Sequence, residues 1–382
     1  MRVPGIWSAR QTKYGDYTQL PVDASHINEK VGQDHHRKKW NISPVTLYLT
    51  ALLVAGVVGG IVYRLREEPY NPLDNYQYAC HFHRSHAPLF HSGFVQESSV
   101  DPYQSRAVIS TLYSDSYALA VAVLGHSIQR AKVKARPVLL YLEGRVSPQA
   151  LCIVAAAGWQ PIPVPFIAPP HNGTGIHQRF GDQYTKLNIW GLEEIGIERA
   201  VYLDADTLVR RNFDELFEIG QFDFAAVPDV YENGFVVAFN AGVMVIRTST
   251  KMLDDMKSKL EDTKFPLHEA EQAFLNVYYG ASALRLPYAY NANLAIKVRS
   301  RELWKSLEDE MRIVHYTLVK PFVVDFSPKW NYIMTADEMR GVVAQAENKK
   351  GGLFREEIRW WGSAFEEAVF DLGDKLAVCY HQ

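Results

Sequence analysis

The alternation of short apolar segments with amphipathic ones constrains this chain most, and it begins near Ala107. Segments typical of strands run over 107–113, 137–142, 162–165 and 200–203, and segments with helical spacing, among them 186–195, separate them. Strands joined by helices of this length require right-handed crossovers, which place the strands parallel in one sheet with helices on both faces. The sequence therefore predicts an α/β fold whose ligands bind beyond the carboxyl ends of the strands.

Two carboxylates follow the strand predicted over 200–203. Asp204 and Asp206 stand at positions i and i+2, so their side chains point the same way on leaving an extended strand, and the small Ala205 keeps the approach open. Mg²⁺ or Mn²⁺ is typically held by one or two carboxylates, with substrate phosphates completing its coordination. Such a pair is also common in surface turns that bind nothing, so the surrounding motifs must decide between the two interpretations.

Composition narrows the class of partner. The chain has 382 residues, of which 47% are hydrophobic and 22% charged, and its formal net charge is -3. These values are typical of a globular protein and give little support to a surface that binds nucleic acid. The three cysteines, Cys80, Cys152 and Cys379, lie far apart, which excludes a cysteine-rich zinc module and allows at most one intrachain disulfide.

An uncharged run over 45–63 is long enough to cross a bilayer as a helix of about 20 residues. A polar segment precedes it, whereas a signal peptide begins near the first residue, so we predict an uncleaved anchor. Lys30, Arg37, Lys38 and Lys39 lie before the run, and Arg64 and Arg66 are followed at once by two glutamates. The positive-inside rule then predicts a single-pass type II membrane protein with a cytosolic N-terminus.

This topology predicts the organisation of the whole chain. We expect a disordered cytosolic tail over 1–44, a transmembrane anchor over 45–63, a stem over 64–104, a catalytic domain over 105–335 and a C-terminal helical extension over 336–382. Asn172-Gly173-Thr174 is a sequon for N-glycosylation on the translocated side, and we predict that its loop can accept a glycan. A second sequon at Asn41 falls on the cytosolic side and is predicted to stay unused.

Six blocks stand out along the chain, at 107–117, 185–187, 201–209, 239–245, 271–276 and 315–321. In this order and spacing they resemble the glycogenin-like family 8 glycosyltransferases, retaining enzymes that use a nucleotide-sugar donor. The resemblance covers about 107–330 and implies a membrane-anchored member of the fungal type. It also implies a single nucleotide-diphospho-sugar transferase domain that is GT-A-like and Rossmann-like, with a mostly parallel mixed sheet.

The family resemblance implies which residues of this sequence contact the nucleotide. Tyr117 is expected to stack on uracil, an aromatic face being suited to a flat base. The backbone of Thr111, Leu112 and Tyr113 is expected to contact the nucleotide, with Asp115 nearby. From its position, Asp115 also could cap the helix that follows the first strand.

The family further implies a cation site and a sugar site. Asp204 and Asp206 would hold the metal, with His315 as third ligand after a strand expected over 312–314, and Lys320 would reach the diphosphate. An imidazole beside two carboxylates favours Mn²⁺ over Mg²⁺, although Mg²⁺ stays possible. The residues expected around the donor sugar and its reacting carbon are Arg179, Lys186, Asn240, Ala241, Gly242, Glu271 and Gln272.

The resemblance thus predicts a Mn²⁺-dependent retaining transfer of a hexosyl or N-acetylhexosaminyl group from a UDP-sugar to a glycan or glycoconjugate, with the Golgi lumen as location. Retention requires either double displacement by a carboxylate or front-face attack, and the sequence leaves both open. Glu271 replaces the usual aspartate of the family and Phe322 a frequent tryptophan. Three alternatives remain: a phosphohydrolase of the haloacid dehalogenase type, a self-glucosylating glycogenin-type enzyme, and an anchored domain that binds nucleotide-sugars without catalysis.

Overall fold

The structure is a computed structural model, and it describes residues 43–65, 102–177, 180–220, 222–231, 234–280, 282–323 and 331–381. The predicted tail and stem lie outside these ranges except for a few residues at their ends, and Arg179 lies outside them as well. The chain divides into two compact units, 1–68 and 69–382.

The described part of the first unit is one helix, α1, over Pro44–Leu65. It covers the segment predicted as an anchor, and the side chains described over 45–59 are exposed. The transmembrane assignment finds no support here: among the described residues, no helix combines the length and the apolar character needed to cross a bilayer.

The second unit contains the remaining elements. Its helices are α2 (Ala118–Arg130), α3 (Pro148–Ala156), α4 (Thr250–Leu260), α5 (Ala270–Tyr279), α6 (Ala295–Arg299), α7 (Arg301–Leu307), α8 (Ala336–Ala346) and α9 (Arg355–Tyr380), with a single turn at Pro102–Ser105. Its strands are β1 (Arg106–Leu112), β2 (Arg136–Leu142), β3 (Gln160–Val164), β4 (Arg199–Leu203), β5 (Thr207–Val209), β6 (Phe224–Tyr231), β7 (Gly234–Arg247), β8 (Leu284–Arg285), β9 (Ala292–Asn293) and β10 (Ile313–His315).

Seven strands form the main sheet in the order β3-β2-β1-β4-β7-β6-β8. The first four in that order are parallel, β7 runs antiparallel to β4 and β6, and β8 is parallel to β6. The predicted α/β fold with a mostly parallel mixed sheet is confirmed. β7 is the exception because it returns from β6 by a hairpin rather than by a helical crossover.

Alternate residues of the central strands enter two apolar clusters, one on each face of the sheet. Ile109 and Tyr202 belong to the cluster that contains Trp190, whereas Val108 and Val201 belong to the cluster that contains Trp361 of α9. This is the burial expected of a parallel sheet covered on both sides. The predicted extension over 336–382 forms α8 and α9, which pack on the same core as the strands.

A second sheet was not predicted. It has the order β5-β10-β9, with β10 antiparallel to β5 and parallel to β9. His315 lies opposite Thr207 in this pairing, so a residue far along the chain comes next to the turn that follows β4. Strands of two or three residues show no periodicity of their own, so the sequence indicates neither β5 nor β9, and only β10 corresponds to an expected strand, over 312–314.

Two local predictions are corrected by the structure. Asp115 does not cap α2, because a 3₁₀ turn over Asp115–Tyr117 precedes that helix and the carboxylate accepts from the backbone N–H of Ser147 instead (2.8 Å). The helical segment expected over 186–195 is a 3₁₀ helix, Gln183–Ile195. Ser147 is itself the N-cap of α3, with Pro148 in the first turn, as local propensity dictates.

One disulfide joins Cys152 on α3 to Cys379 on α9, and 227 residues separate the two positions. It links α9 to α3, the helix that connects β2 with β3. Among the alternatives that the sequence allowed, this pairing excludes a bond from Cys80 to either residue.

Candidate functional site

The acidic pair and the distant histidine meet beyond the carboxyl end of β4. One ligand atom from each of Asp204, Asp206 and His315 lies within 4.8 Å of the others. His315 Nε2 is 3.2 Å from Asp206 Oδ1 and 3.9 Å from Asp204 Oδ2. Two carboxylates and an imidazole, mostly shielded from solvent, form a set that can hold a divalent cation.

The two aspartates converge for a reason other than the predicted one. They lie in a turn between β4 and β5, in which Thr207 N donates to Asp204 O (3.0 Å), rather than in an extended strand. The β5–β10 pairing then brings His315 beside that turn, and Tyr316 N donates to Asp206 O (2.9 Å). Backbone hydrogen bonds therefore fix the relative positions of all three ligands.

The ring of His315 is oriented from behind. Its Nδ1 lies 3.0 Å from Asn291 Oδ1, which can only accept, so the hydrogen-bond pattern places a proton on Nδ1. Nε2 faces the two aspartates and is the atom that can bind a metal once it carries no proton. Gly242 on β7 makes room for the ring. A Cβ at that position would lie 2.2 Å from His315 Cε1, so no larger residue fits without moving the imidazole.

Lys320 lies against the cation site and contacts Asp206 Oδ2. Burial would favour the neutral lysine, but the charge of Asp206 outweighs it and raises the pKa of Lys320. Burial likewise opposes ionisation of Asp206, and the positive charges of Lys320 and then His315 lower the pKa of Asp206 well below its usual range. The site thus keeps a carboxylate and an ammonium ionised side by side.

Lys186 is a buried cation between two carboxylates. Its Nζ lies 2.6 Å from Glu271 Oε1, 3.1 Å from Asp204 Oδ1 and 4.7 Å from the centre of the Tyr202 ring. Burial would lower the pKa of Lys186, but Asp204 and then Glu271 raise it well above its usual value. Asp204 also accepts from the Tyr202 hydroxyl (2.5 Å), so its position is fixed from two sides.

A network of amides surrounds a buried carboxylate beside this cluster. Asp229 on β6 accepts from Gln272 Nε2 (2.9 Å), Asn240 Nδ2 (3.2 Å), Asn293 Nδ2 (3.2 Å) and the backbone of Val230 (2.8 Å). Burial raises the pKa of Asp229 despite these donors. The carboxylate thereby holds the amides of three separate elements in one arrangement.

The same network reaches the cation site. Asn240 Oδ1 accepts from Gly242 N and from Asn291 Nδ2, both at 2.9 Å, and Asn291 in turn orients His315. Ala241 is buried, and its N–H donates to Gln272 Oε1 (2.9 Å). The predicted sugar-site residues Asn240, Ala241, Gly242, Glu271 and Gln272 are therefore brought together with the predicted metal ligands.

The predicted nucleotide residues lie at the end of β1 and in the turn after it. Thr111 Oγ1 is 3.2 Å from the Tyr202 hydroxyl, which connects β1 to Asp204. Leu112 is buried in the core, and the burial of Tyr113 raises the pKa of its hydroxyl. Tyr117 packs edge-on against Phe322 with ring centres 5.4 Å apart, which places it near Lys320. Asp115 faces the start of α3, as described above.

Three polar residues of the site were missed in the sequence: Asp229, Asn291 and Asn293. A signal was present for the two asparagines, because Asn291-Ala292-Asn293 repeats the spacing of the acidic pair. Asp229 follows the apolar stretch at the start of β6, where a carboxylate has to be held by hydrogen bonds if the strand is buried.

Comparisons with known proteins identify relatives by sequence. The chain is 30% identical over 241 residues to inositol phosphorylceramide glucuronosyltransferase 1 of Arabidopsis thaliana, an alignment that covers 56% of this chain and 42% of that protein. It is 27% identical to galactinol synthase 2 of Solanum lycopersicum (53% and 63% covered) and 28% identical to human glycogenin-2 (59% and 45% covered). The chain thus spans about half the length of these relatives.

Solved structures show weaker likeness. The apo form of the glycosyltransferase GlyE from Streptococcus pneumoniae TIGR4 has 18% identity and a TM-score of 0.43, with 70% of this chain and 63% of that one covered. The galactosyltransferase LgtC has 17% identity and a TM-score of 0.42, with 63% and 95% covered. Because both scores are low, the assignment rests on sequence. Residues 108–322 match glycosyl transferase family 8, and the chain belongs to that family.

Proposed function

We propose that the chain transfers a hexosyl or N-acetylhexosaminyl group from a UDP-sugar to a glycan or glycoconjugate, with retention of configuration and dependence on a divalent cation. The observation that carries this proposal is the convergence of Asp204, Asp206 and His315 beside Lys320. Membership of glycosyl transferase family 8 supports this proposal and argues against the phosphohydrolase alternative.

The ligand set fits a cation that accepts both oxygen and nitrogen, which favours Mn²⁺ and leaves Mg²⁺ as second choice. Asp204, Asp206 and His315 would hold the ion, and the contact of Asn291 with Nδ1 of His315 makes Nε2 the nitrogen that would bind it. When bound, such an ion acts as a Lewis acid that offsets the negative charge of a departing diphosphate.

The chain's own residues supply the remaining electrostatics. Lys320 offers a positive charge next to the cation ligands, where a diphosphate would extend. Lys186 is buried and pairs with both Asp204 and Glu271, so it places a positive charge between the cation site and the sugar site. The side-chain amide of Gln272 accepts from Ala241 N and donates to Asp229, so its orientation toward a bound sugar is fixed.

The environment of Glu271 bears on how configuration is retained. Its carboxylate is buried and lies 2.6 Å from the ammonium of Lys186, which reduces its nucleophilicity. This pairing favours front-face attack, in which Glu271 and Gln272 stabilise positive charge on the sugar, over double displacement through a covalent ester. Incubation of the chain with a slow fluorinated donor followed by mass spectrometry tests this: a sugar adduct on Glu271 would support double displacement.

Donor turnover tests the proposed activity itself. The purified chain with Mn²⁺ and UDP-glucose, UDP-galactose or UDP-N-acetylglucosamine should release UDP, slowly without acceptor and faster with one. Asp206→Asn should lose at least about a thousandfold in rate because it removes a charged cation ligand. Asp214→Asn, at an acidic residue outside the site, serves as control.

The same purified chain distinguishes the proposed activity from two alternative functions. A non-catalytic domain would bind UDP and Mn²⁺ without releasing UDP from any donor. A self-glucosylating enzyme of the glycogenin type would gain hexose units in steps of one sugar mass on incubation with UDP-glucose. Neither result is expected, and an unmodified chain that turns over donor would exclude both.

We also propose a Golgi location, with 45–63 as a type II anchor of the fungal-type subclass and residues 64–382 on the luminal side. The uncharged run and the positive charges before it support this proposal, although no described helix qualifies as a membrane span. The Cys152–Cys379 disulfide adds support, because such bonds persist mainly in oxidising compartments. Resistance of the full chain to carbonate extraction from membranes would support the anchor, and release would contradict it.

The two sequons test the topology of this proposal. Asn172 and Thr174 are exposed in the loop that follows β3, so a glycan can be accommodated at Asn172. In a eukaryotic host, deglycosylation should increase the electrophoretic mobility of the full chain, and Asn172→Gln should abolish that shift. Asn41→Gln is the matched control and should leave the shift unchanged.

A further inference from the structure

Helix α9 lies outside the region that matches the family, yet it packs against the segment that carries the cation and diphosphate residues. The family match ends at Phe322, whereas α9 begins at Arg355. Its buried face belongs to the same apolar cluster as Tyr316 and Phe322. The buried residues of this face are Glu357, Ile358, Trp361, Phe365, Ala368, Leu372, Leu376 and Cys379.

Tyr316 connects the helix directly to the cation site. Its backbone N–H donates to Asp206 O (2.9 Å), while its hydroxyl donates to the backbone oxygen of Glu357 on α9 (2.7 Å). The side chain is completely buried. One residue, next to the ligand His315, therefore spans the distance between the acidic turn and the helix.

A row of aromatic rings makes a second connection. Phe322 lies between Tyr117, with ring centres 5.4 Å apart, and Trp361 of α9, with ring centres 5.5 Å apart. Trp361 stacks in turn on Phe365 at 5.7 Å. Because Phe322 follows Lys320 by two residues, the position of the lysine depends on a ring that α9 supports.

Buried contacts hold α9 in one orientation about its own axis. The carboxylate of Glu357 is buried, and it accepts from Lys297 Nζ (2.5 Å) and from Trp304 Nε1 (2.8 Å). Breaking a buried ion pair is costly because it leaves a charge without a partner, so rotation of α9 is opposed. Further along, Asp371 pairs with His126 on α2, and the disulfide from Cys379 fixes the end.

We propose that α9 sets the position of the segment 315–322 and thereby the affinity of the site for a divalent cation and a nucleoside diphosphate. Tyr316 of the segment contacts α9, and Trp361 of α9 contacts Phe322 of the segment. Neither residue belongs to the ligand set, so both act as positioning residues. The inference rests on the proposed function, in that it assumes the site binds these two ligands.

The test compares two substitutions on α9 of the full chain. Trp361→Leu removes the ring that supports Phe322, whereas Leu372→Ala removes a buried side chain from the half of the helix that faces α2 and α3. Mn²⁺ and UDP binding are measured by calorimetry well below the unfolding temperature of each variant. Trp361→Leu should weaken both affinities tenfold or more, and Leu372→Ala should weaken neither beyond twofold.

Conservative variants separate positioning from general destabilisation. Trp361→Phe keeps an aromatic ring and should restore affinity to within about threefold of the original. Among the described residues, the indole N–H of Trp361 makes no hydrogen bond, so this change removes none. Tyr316→Phe deletes one hydrogen bond and should weaken Mn²⁺ binding about threefold to tenfold.

Each outcome decides the inference. Equal losses of affinity in Trp361→Leu and Leu372→Ala, or unchanged affinity in Trp361→Leu, would overturn it. If Trp361→Leu does not fold, Tyr316→Phe with unchanged affinity overturns it alone. Failure of the original chain to bind Mn²⁺ and UDP would instead overturn the proposed function, so the two failures are distinguishable.

Discussion

Single residues decide the geometry of this site because few of them have room to move. Asn291 fixes the ring of His315, Asp229 fixes three amides, and Gly242 provides the space that the imidazole occupies. Each is a polar or small residue whose effect is exerted through another. Substitutions at these positions should therefore separate cation binding from sugar turnover.

Asp229→Asn should impair sugar transfer while leaving cation binding intact. The new amide would place an N–H against donors from Gln272, Asn240 or Asn293, at a cost of about 1–3 kcal/mol. We expect donor turnover to fall about tenfold to a hundredfold. Initial rates and Mn²⁺ calorimetry on the same preparation check this, and a parallel loss of Mn²⁺ affinity would contradict it.

Gly242→Ala should weaken Mn²⁺ binding at least about tenfold, because the added Cβ would displace His315. Gly234→Ala is the matched control on the same strand, since nothing lies within 4 Å of a Cβ placed there. Electron paramagnetic resonance of free Mn²⁺ during titration measures both. Equal affinities in the two variants would show that the ring tolerates the methyl group.

At the level of elements, prediction from sequence succeeded where periodicity is strong. The strands β1, β2 and β4 were predicted because buried parallel strands are runs of apolar residues. The strand expected over 312–314 corresponds to β10. The strands β5 and β9 were not predicted, because strands this short show no periodicity and β5 pairs with a strand about a hundred positions away. His315 could consequently be named only from a family resemblance, and the periodicity of the chain did not indicate it.

The contact between α8 and α9 predicts a dependence of stability on pH. Arg340 donates two hydrogen bonds to Glu366, at 2.8 and 2.9 Å, and these lower the pKa of Glu366. The stabilisation is present above the pKa of an unfolded glutamate, about 4.3, and is lost as pH falls through the folded value. Because both side chains are about half exposed, solvent screens the pair and its contribution to stability is small.

Glu366→Gln should therefore lower the free energy of unfolding at pH 7 and change it less at pH 3. Urea denaturation of the original chain and the variant at both values measures the difference. Glu367→Gln, next along α9 and paired with Arg130, shows how much a neighbouring exposed pair contributes. A difference between the chain and Glu366→Gln that is as large at pH 3 as at pH 7 would argue against the ion pair as its origin.

On the scale of the whole molecule, one covalent bond joins distant parts of the second unit. Cys152 and Cys379 close a loop that contains most of the sheet and the candidate site. The sequence limited the chain to one disulfide but could not choose the pair, because pairing requires the three-dimensional approach of α3 and α9. The site residue Asp229 escaped prediction for the same reason, because its amide partners come from three separate elements.

Cys379→Ser should lower the free energy of unfolding by about 2–5 kcal/mol, the range typical of a native disulfide. Cys80→Ser, at a cysteine outside this bond, is the control and should change little. Guanidinium denaturation with and without reductant measures both. A chain whose stability is unaffected by reductant would contradict a structural role for the bond.

The pairing of β10 with β5 has a consequence for the newly made protein. A nascent polypeptide that has emerged from the ribosome only as far as the acidic turn carries two of the three cation ligands and cannot complete the set. The third arrives after roughly a further hundred residues have been synthesised. The capacity to bind a cation should therefore appear late and abruptly during synthesis. Incomplete chains would then be unable to bind a nucleotide-sugar donor through the cation.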